Sequence, residues 1–298
     1  MANCWQSRKG SLSMRWLAMF TLVWTLGLLW TRGAIAMPAE CSSLGAAQRK
    51  VADSLLDSQH PYRCCDKTIR QCLQQRPTCK LAERLAADVC RRVQAGENRA
   101  TIERALARRA TSMRASTKPA PIDLSAAQPA GDRNAKVTLV AYVCPRCPYC
   151  ERLMRHLLHE VTAGSAKGKV KLYVRLFPLR SHKGSTEASL AVMAAAELGK
   201  FWPYLSRLYE DFDGFSVDKL PQYAKGVGLS EARFQSLRRS AAVRSKLVES
   251  KKEGVRNKVE STPTLFIDGR RYVGDLDARS VVDVLMEEYD RVTGHETK

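Results

Sequence analysis

The sequence predicts two folded parts, a small disulfide-rich all-α domain followed by an α/β domain with a helical insertion. Three observations predict this. Six cysteines fall in a stretch with helical spacing that holds one glycine, Gly96, between Ala46 and Ala100. From residue 135 the texture changes to β-branched runs, VTLVAYV and VKLYVRLF, on either side of a helical segment. Near the C-terminus, TLFID and RRYVG flank Asp268-Gly269, a favoured hairpin dipeptide. The 298 residues suit about two domains at roughly 150 residues each, and 45% apolar content can fill their cores.

Residues 1–36 read as a secretory signal peptide. Arg8, Lys9 and Arg15 precede an uncharged run from Trp16 to Trp30, and Ala34-Ile35-Ala36 offers a small-x-small cleavage site. The run is shorter than the about 20 residues a spanning helix needs. A retained membrane anchor is the competing reading. Cleavage would remove four of the basic residues and Cys4, leaving +15 of the +19 charge and nine of the ten cysteines. An odd count leaves one thiol unpaired or shared. The chain is expected in the periplasm or outside the cell. Export, and the lack of any nucleic-acid motif beside the basic charge, argue against a nucleic-acid partner.

The helical domain is expected over residues 37–114. Leu44, Ala47, Val51 and Leu55 share one helical face. Asp66 can cap a second helix, and Pro77 can open a third that Gly96 closes. Asn98 or Thr101 then caps a basic helix. Cys79 and Cys90 lie along the third helix, roughly 16 Å apart at about 1.5 Å per residue. A disulfide needs Cα atoms within about 7 Å, so each must bond elsewhere. An antiparallel hairpin would pair Cys72 with Cys79 and Cys65 with Cys90, leaving Cys41 for Cys64. A metal site is the alternative, although the cysteines lack the paired spacing of zinc modules. Residues 115–134, rich in Pro, Ala, Ser and Asp, read as a linker, and residues 135–298 as the α/β domain.

The chemistry is expected in CPRCPYC, Cys144 to Cys150, where two Cys-x-x-Cys motifs share Cys147. Pro145 keeps Cys144 extended at the strand end, and Pro148 keeps Cys147 out of the helix while itself fitting the first turn. Cys147 is then the N-cap and Cys150 the third helical residue, side by side. An N-cap thiolate gains helix N–H groups and the positive dipole end, and Arg146 adds a cation, so Cys147 should have a lowered pKa. Leu153, Met154, Leu157, Leu158 and Val161 form one arc with Cys150 near its centre, opposite Arg152, Arg155, His156 and His159. Cys150 should therefore be buried and Cys147 exposed, the division of labour that thiol–disulfide exchange requires. Thr262-Pro263 directly precedes the strand TLFID, where a cis peptide would be a maintained feature.

KVTLVAYVCPRCPYCERL, VRLFPL and ESTPTLFIDGRRYVG, in that order, resemble the DsbA-like thioredoxin-fold oxidoreductases over about residues 120–292. KFWPYLSRLYED with LPQYAKGVGLSEARF is similar to that family's helical insertion. The resemblance implies a thioredoxin-like fold and periplasmic thiol–disulfide exchange with protein substrates carrying thiols or disulfides, with no cofactor and with a membrane or periplasmic partner to recycle the site. It implies that Cys147 forms the mixed disulfide and that Cys150 resolves it. It also implies that Arg146, Pro148 and Tyr149 shape the site, that Pro263 is cis beside the sulfurs, and that the Thr262 backbone holds an extended substrate. Many family members carry an acidic residue six positions before the nucleophile, where this chain has Ala141. The segment LAADVCRRVQAGENRATIERAL resembles the helical domain of CcmH-type cytochrome c maturation proteins. A thiol-based metal or cytochrome c maturation chaperone is accordingly the alternative function. Cys144 has three readings: an idle thiol, an auxiliary redox partner of Cys147 or of an N-terminal cysteine, or a soft metal ligand.

Overall fold

The structure, a computed structural model, describes residues 37–114 and 118–297. The signal-peptide reading of residues 1–36 lies outside the described residues.

Five helices open the described chain: α1 (Ala39–Ser42), α2 (Ala46–Ser58), α3 (Ile69–Leu73), α4 (Lys80–Gln94) and α5 (Arg99–Met113). Asn98 caps α5, its side-chain oxygen accepting from the Thr101 N–H at 3.0 Å. Thr68, rather than Asp66, caps α3 in a reciprocal capping box with Gln71. The helix expected to open at Pro77 is α4, which starts at Lys80. Cys79 is held extended by a bridge to Thr297, and the Lys80 N–H donates to the Glu296 carbonyl. The buried face of α2 is Ala52, Leu55 and Leu56, and Val51 is exposed, because α4 packs against that face.

All six cysteines of this region are bonded, but not in the hairpin pattern. The pairs are Cys41–Cys90, Cys64–Cys79 and Cys65–Cys72, with Cα separations of 5.0, 5.8 and 6.0 Å. The expected Cys41–Cys64, Cys65–Cys90 and Cys72–Cys79 set is thereby corrected. The physical reason is the length of α3. At five residues it cannot run back along α4, so Cys64 and Cys65 stay in a loop at the N-terminal end of α4. Cys90, about three turns along, is met instead by the short α1.

The α/β part runs β1 (Val137–Val143), α6 (Pro148–Thr162), β2 (Val170–Leu176), α7 (Ser185–Glu197), α8 (Phe201–Glu210), a 3₁₀ turn at Val217–Lys219, α9 (Leu220–Gly226), α10 (Glu231–Arg239), α11 (Ala241–Arg256), β3 (Thr264–Ile267), β4 (Arg270–Tyr272) and α12 (Ala278–Val292). The sheet order is β2-β1-β3-β4, with β1 parallel to β2 and antiparallel to β3. This is the thioredoxin-like arrangement with a helical insertion, α7 to α11, between β2 and β3. Asp268 and Gly269 both take positive φ, 46° and 77°, as the two-residue hairpin turn requires.

β1 is central and covered on both faces, which is why it reads as a continuous apolar run. Leu139, Ala141 and Val143 face Cys150, Leu153 and Leu157 of α6 and Val281 and Leu285 of α12. Val140 and Tyr142 face the other way, against Phe177, Val259 and Phe266. Here α11 approaches closely: a Cβ on Gly254 would lie 2.6 Å from the Phe177 ring. Ala120, Ile122 and Leu124 of the linker region pack on this second face.

The N-terminal helices pack on α12 through a buried ion network. Arg109, 4% exposed, donates to Asp283 at 2.6 Å and to Glu287 at 2.9 Å. Glu287 also accepts from Arg63 at 2.7 Å and from the Tyr62 hydroxyl at 2.6 Å. Such a network adds little net stability over an apolar contact, yet its members become mutually dependent, since an orphaned buried charge costs about 3–5 kcal/mol. The described residues form one compact unit.

Candidate active site

CPRCPYC sits where the strand and helix patterns place it. Cys144 follows the last residue of β1, and the Cys147 N–H donates to the Cys144 carbonyl at 3.0 Å, closing a tight turn over Pro145 and Arg146. Cys147 is the N-cap of α6, with φ −93° and ψ 122°, and Pro148 is the first helical residue. Cys150 is third in the helix, fully buried beside Leu153, Met154, Leu157 and Val161, while Arg152, Arg155, His156 and His159 face solvent.

Cys147 departs from expectation in its exposure. It is only 2% exposed. A helical wheel considers one helix, whereas the cover comes from the distant Thr262-Pro263 loop. The Cys147 sulfhydryl points at the Thr262 carbonyl at 3.3 Å. The Thr262–Pro263 peptide is cis, and both residues are buried. Tyr142 pairs with Thr264 in the β1–β3 register, and extending that register brings Thr262 level with Cys144.

The two thiols of CPYC differ in charge preference rather than in exposure. The hydrogen bond from the Cys150 thiol, aided by the Cys150 and Tyr149 N–H groups and the Thr262 side chain, brings the Cys147 thiol down to about 5 against the opposing effect of burial. Burial, with the adjoining Cys147 sulfur, pushes Cys150 far up. The Thr262 hydroxyl is buried with no other partner, so it is free to donate once Cys147 is anionic.

Arg146 is engaged by two aromatic rings. Its guanidinium carbon lies 4.3 Å from the Phe212 ring centroid and 4.1 Å from that of Phe215, and it donates to the Phe212 carbonyl at 2.7 Å. It clamps the active-site turn to the loop after α8, and the stabilisation of the Cys147 anion comes from hydrogen bonds instead. Tyr149 is 65% exposed, with the Arg152 guanidinium 5.1 Å from its ring centroid. The two border a groove of about 640 Å³ that continues past Ser261, Thr262 and Pro263 to Leu276. A separate cavity of about 420 Å³, between Gln128, Met193 and Lys246, shares no residue with the groove.

Two neighbours escape sequence reasoning. His182, in the loop before α7, places Nδ1 3.3 Å from the Cys144 sulfur. Tyr209 of α8 is buried with its hydroxyl unpartnered, and it shares a cavity with Pro148 and Glu151 at the start of α6. A lone histidine in a polar loop and a tyrosine on an apolar helix face carry no signal that would single them out. Cys144 itself is fully buried, which pushes its thiol up. Because the six N-terminal cysteines are paired with one another, none of them is left to serve Cys144. Among the described residues, no three His, Cys, Asp or Glu side chains are grouped so as to hold a metal ion.

The family model described as thioredoxin matches residues 127–286. A curated relative, a Na(+)/H(+) antiporter NhaA 1 of Mycolicibacterium gilvum, is 33% identical over 169 residues, 55% of this chain and 27% of the antiporter. The chain thus spans about a quarter of the length of the curated relatives it matches. Among solved structures, BdbD of Bacillus subtilis (oxidised) superposes with a TM-score of 0.51 at 18% identity, covering 58% of this chain and 97% of BdbD. Alpha-DsbA1 of Wolbachia pipientis gives 0.50 at 16% identity, covering 57% and 94%.

Proposed function

This chain belongs to the thioredoxin family, and on that premise we propose that it is an exported thiol–disulfide oxidoreductase acting on protein clients through Cys147-Pro148-Tyr149-Cys150. The observation that carries the reading is the placement of Cys147. It sits at the start of α6, in contact with Cys150 and facing the Thr262-Pro263 loop, where its anion is favoured. A stabilised thiolate stabilises the reduced protein, and this favours donation of a disulfide to clients.

In that direction a client thiolate attacks the Cys147 sulfur and the Cys147–Cys150 bond breaks. Cys150 departs with the electron pair and takes a proton. A second client thiol attacks the client sulfur of the mixed disulfide, and Cys147 leaves as the thiolate its site favours. The client is oxidised and the protein reduced by two electrons, which a redox partner in the envelope must remove. The groove beside Tyr149, Thr262 and Pro263 suits an extended client segment. Export is supported by three disulfides in the N-terminal region, which need an oxidising compartment. No described helix is long and apolar enough to cross a membrane, and the quarter-length match to the antiporters gives no ground for carrying ion transport over.

Mixing the oxidised protein with a reduced dithiol peptide, in the presence of a metal chelator, tests the reading. One peptide disulfide should form per protein, and Cys147→Ala should abolish it. A wild-type protein that leaves the peptide reduced rejects the proposal.

A further inference from the structure

The proposed exchange uses Cys147 and Cys150 and leaves Cys144 without a task. Its position is specific, however. The backbone bond from the Cys147 N–H to the Cys144 carbonyl makes residues 144–147 a closed turn. Such turns hold their first and last Cα atoms within about 7 Å, and disulfides form at about 4.4–6.8 Å. Both sulfurs are buried in the same core. Cys144 also has a base beside it, His182 Nδ1 at 3.3 Å, and the His182 side chain is only partly buried, so its proton can reach water. A nucleophile with a base in hydrogen-bond reach is the arrangement that activates a thiol.

We propose that Cys144 is a second resolving thiol, competing with Cys150 for Cys147, with His182 accepting its proton. The proposal rests on Cys147 being the exchanging sulfur. In the internal exchange, His182 Nδ1 takes the Cys144 proton and the Cys144 sulfur attacks Cys147. The Cys147–Cys150 bond breaks, and Cys150 leaves with the electron pair and is protonated. One disulfide is present before and after, so no outside oxidant enters. In the same way a mixed disulfide at Cys147 has two internal exits, one through Cys150 and one through Cys144.

Trypsin makes the test direct. Cleavage after Lys136, Arg146 and Arg152 puts Cys144 in one peptide, Val137–Arg146, and both other thiols in a second, Cys147–Arg152. Cys150→Ala and Cys150→Ser proteins are oxidised with glutathione disulfide, quenched in acid, alkylated, unfolded and digested. The two peptides should be recovered linked, and Cys144→Ala/Cys150→Ala should instead keep glutathione on Cys147. Adding His182→Ala to Cys150→Ala should slow the link tenfold or more. Recovery of Cys144 alkylated, with glutathione stably held on Cys147, overturns the proposal. If neither Cys150 variant folds by circular dichroism, Cys144→Ala alone supplies the readout. Its glutathione adduct should outlive that of wild type at least threefold, and an equal lifetime overturns the proposal. Failure of the broader exchange reading looks different, because wild type would then form no disulfide within Cys147–Arg152.

Discussion

Replacing Cys150 with alanine removes the leading donor to the Cys147 anion, and the consequence can be worked through in energy. With its thiol near 5 against an ordinary 9.0, Cys147 at pH 7 stabilises the folded reduced chain by about 2.7 kcal/mol, or about 60 mV for a two-electron couple. The sign follows from a depressed folded value. The stabilisation is full above about pH 9, shrinks as pH falls, and is gone below about pH 5. A hydrogen bond to a charged group is worth about 1.5–3 kcal/mol, so Cys150→Ala should raise the midpoint by about one to two pH units, to about 6–7. The gain at pH 7 then falls to about 0.4–1.4 kcal/mol. Ultraviolet thiolate absorbance of the reduced proteins measures both midpoints without needing a reagent to reach the sulfur. Burial pushes Cys144 and Cys150 upward, so Cys147 alone should titrate in this range. A wild-type midpoint between 8 and 9, or an unmoved one in Cys150→Ala, would refute the reasoning.

Arg146→Met should destabilise the protein by about 1–2 kcal/mol through loss of the Phe212–Phe215 clamp, while leaving the Cys147 midpoint nearly in place. A rise of a full pH unit in that titration would show that the cation acts on the sulfur after all. Arg109→Met takes away the buried cation that Asp283 and Glu287 share, leaving Asp283 to Arg84 and Glu287 to Arg63 and Tyr62, and should cost about 1.5–3 kcal/mol in urea unfolding; a loss below about 1 kcal/mol would contradict the buried network. Gly254→Ala should lower the melting temperature through overpacking against Phe177, at a cost of about 1–3 kcal/mol, and an unchanged melting curve would count against that contact.

Local chemistry was legible in the sequence, and contacts at a distance were not. Pro145 and Pro148 constrain their own neighbours, so the places of Cys144, Cys147 and Cys150 could be read from residues within a few positions. Asp268-Gly269 is similarly self-contained. The cover over Cys147 comes from Thr262, 115 residues away, and the partner of Arg146 from Phe212, 66 residues away. No periodicity encodes either. The disulfide pairs failed for a related reason. They depend on where short α1 and α3 come to rest against α4, and spacing alone permits many such arrangements.

The seclusion of Cys147 bears on its survival. Thiolates are the species that peroxide converts to sulfenic and then irreversibly to sulfinic acid, and susceptibility rises with solvent access. A sulfur that favours its anion but lies beneath the Thr262-Pro263 loop is sheltered from stray oxidants, and in the exchange proposed above a client chain would reach it only by displacing that cover. Selectivity and longevity would then come from the same loop, and loosening it would cost the protein both.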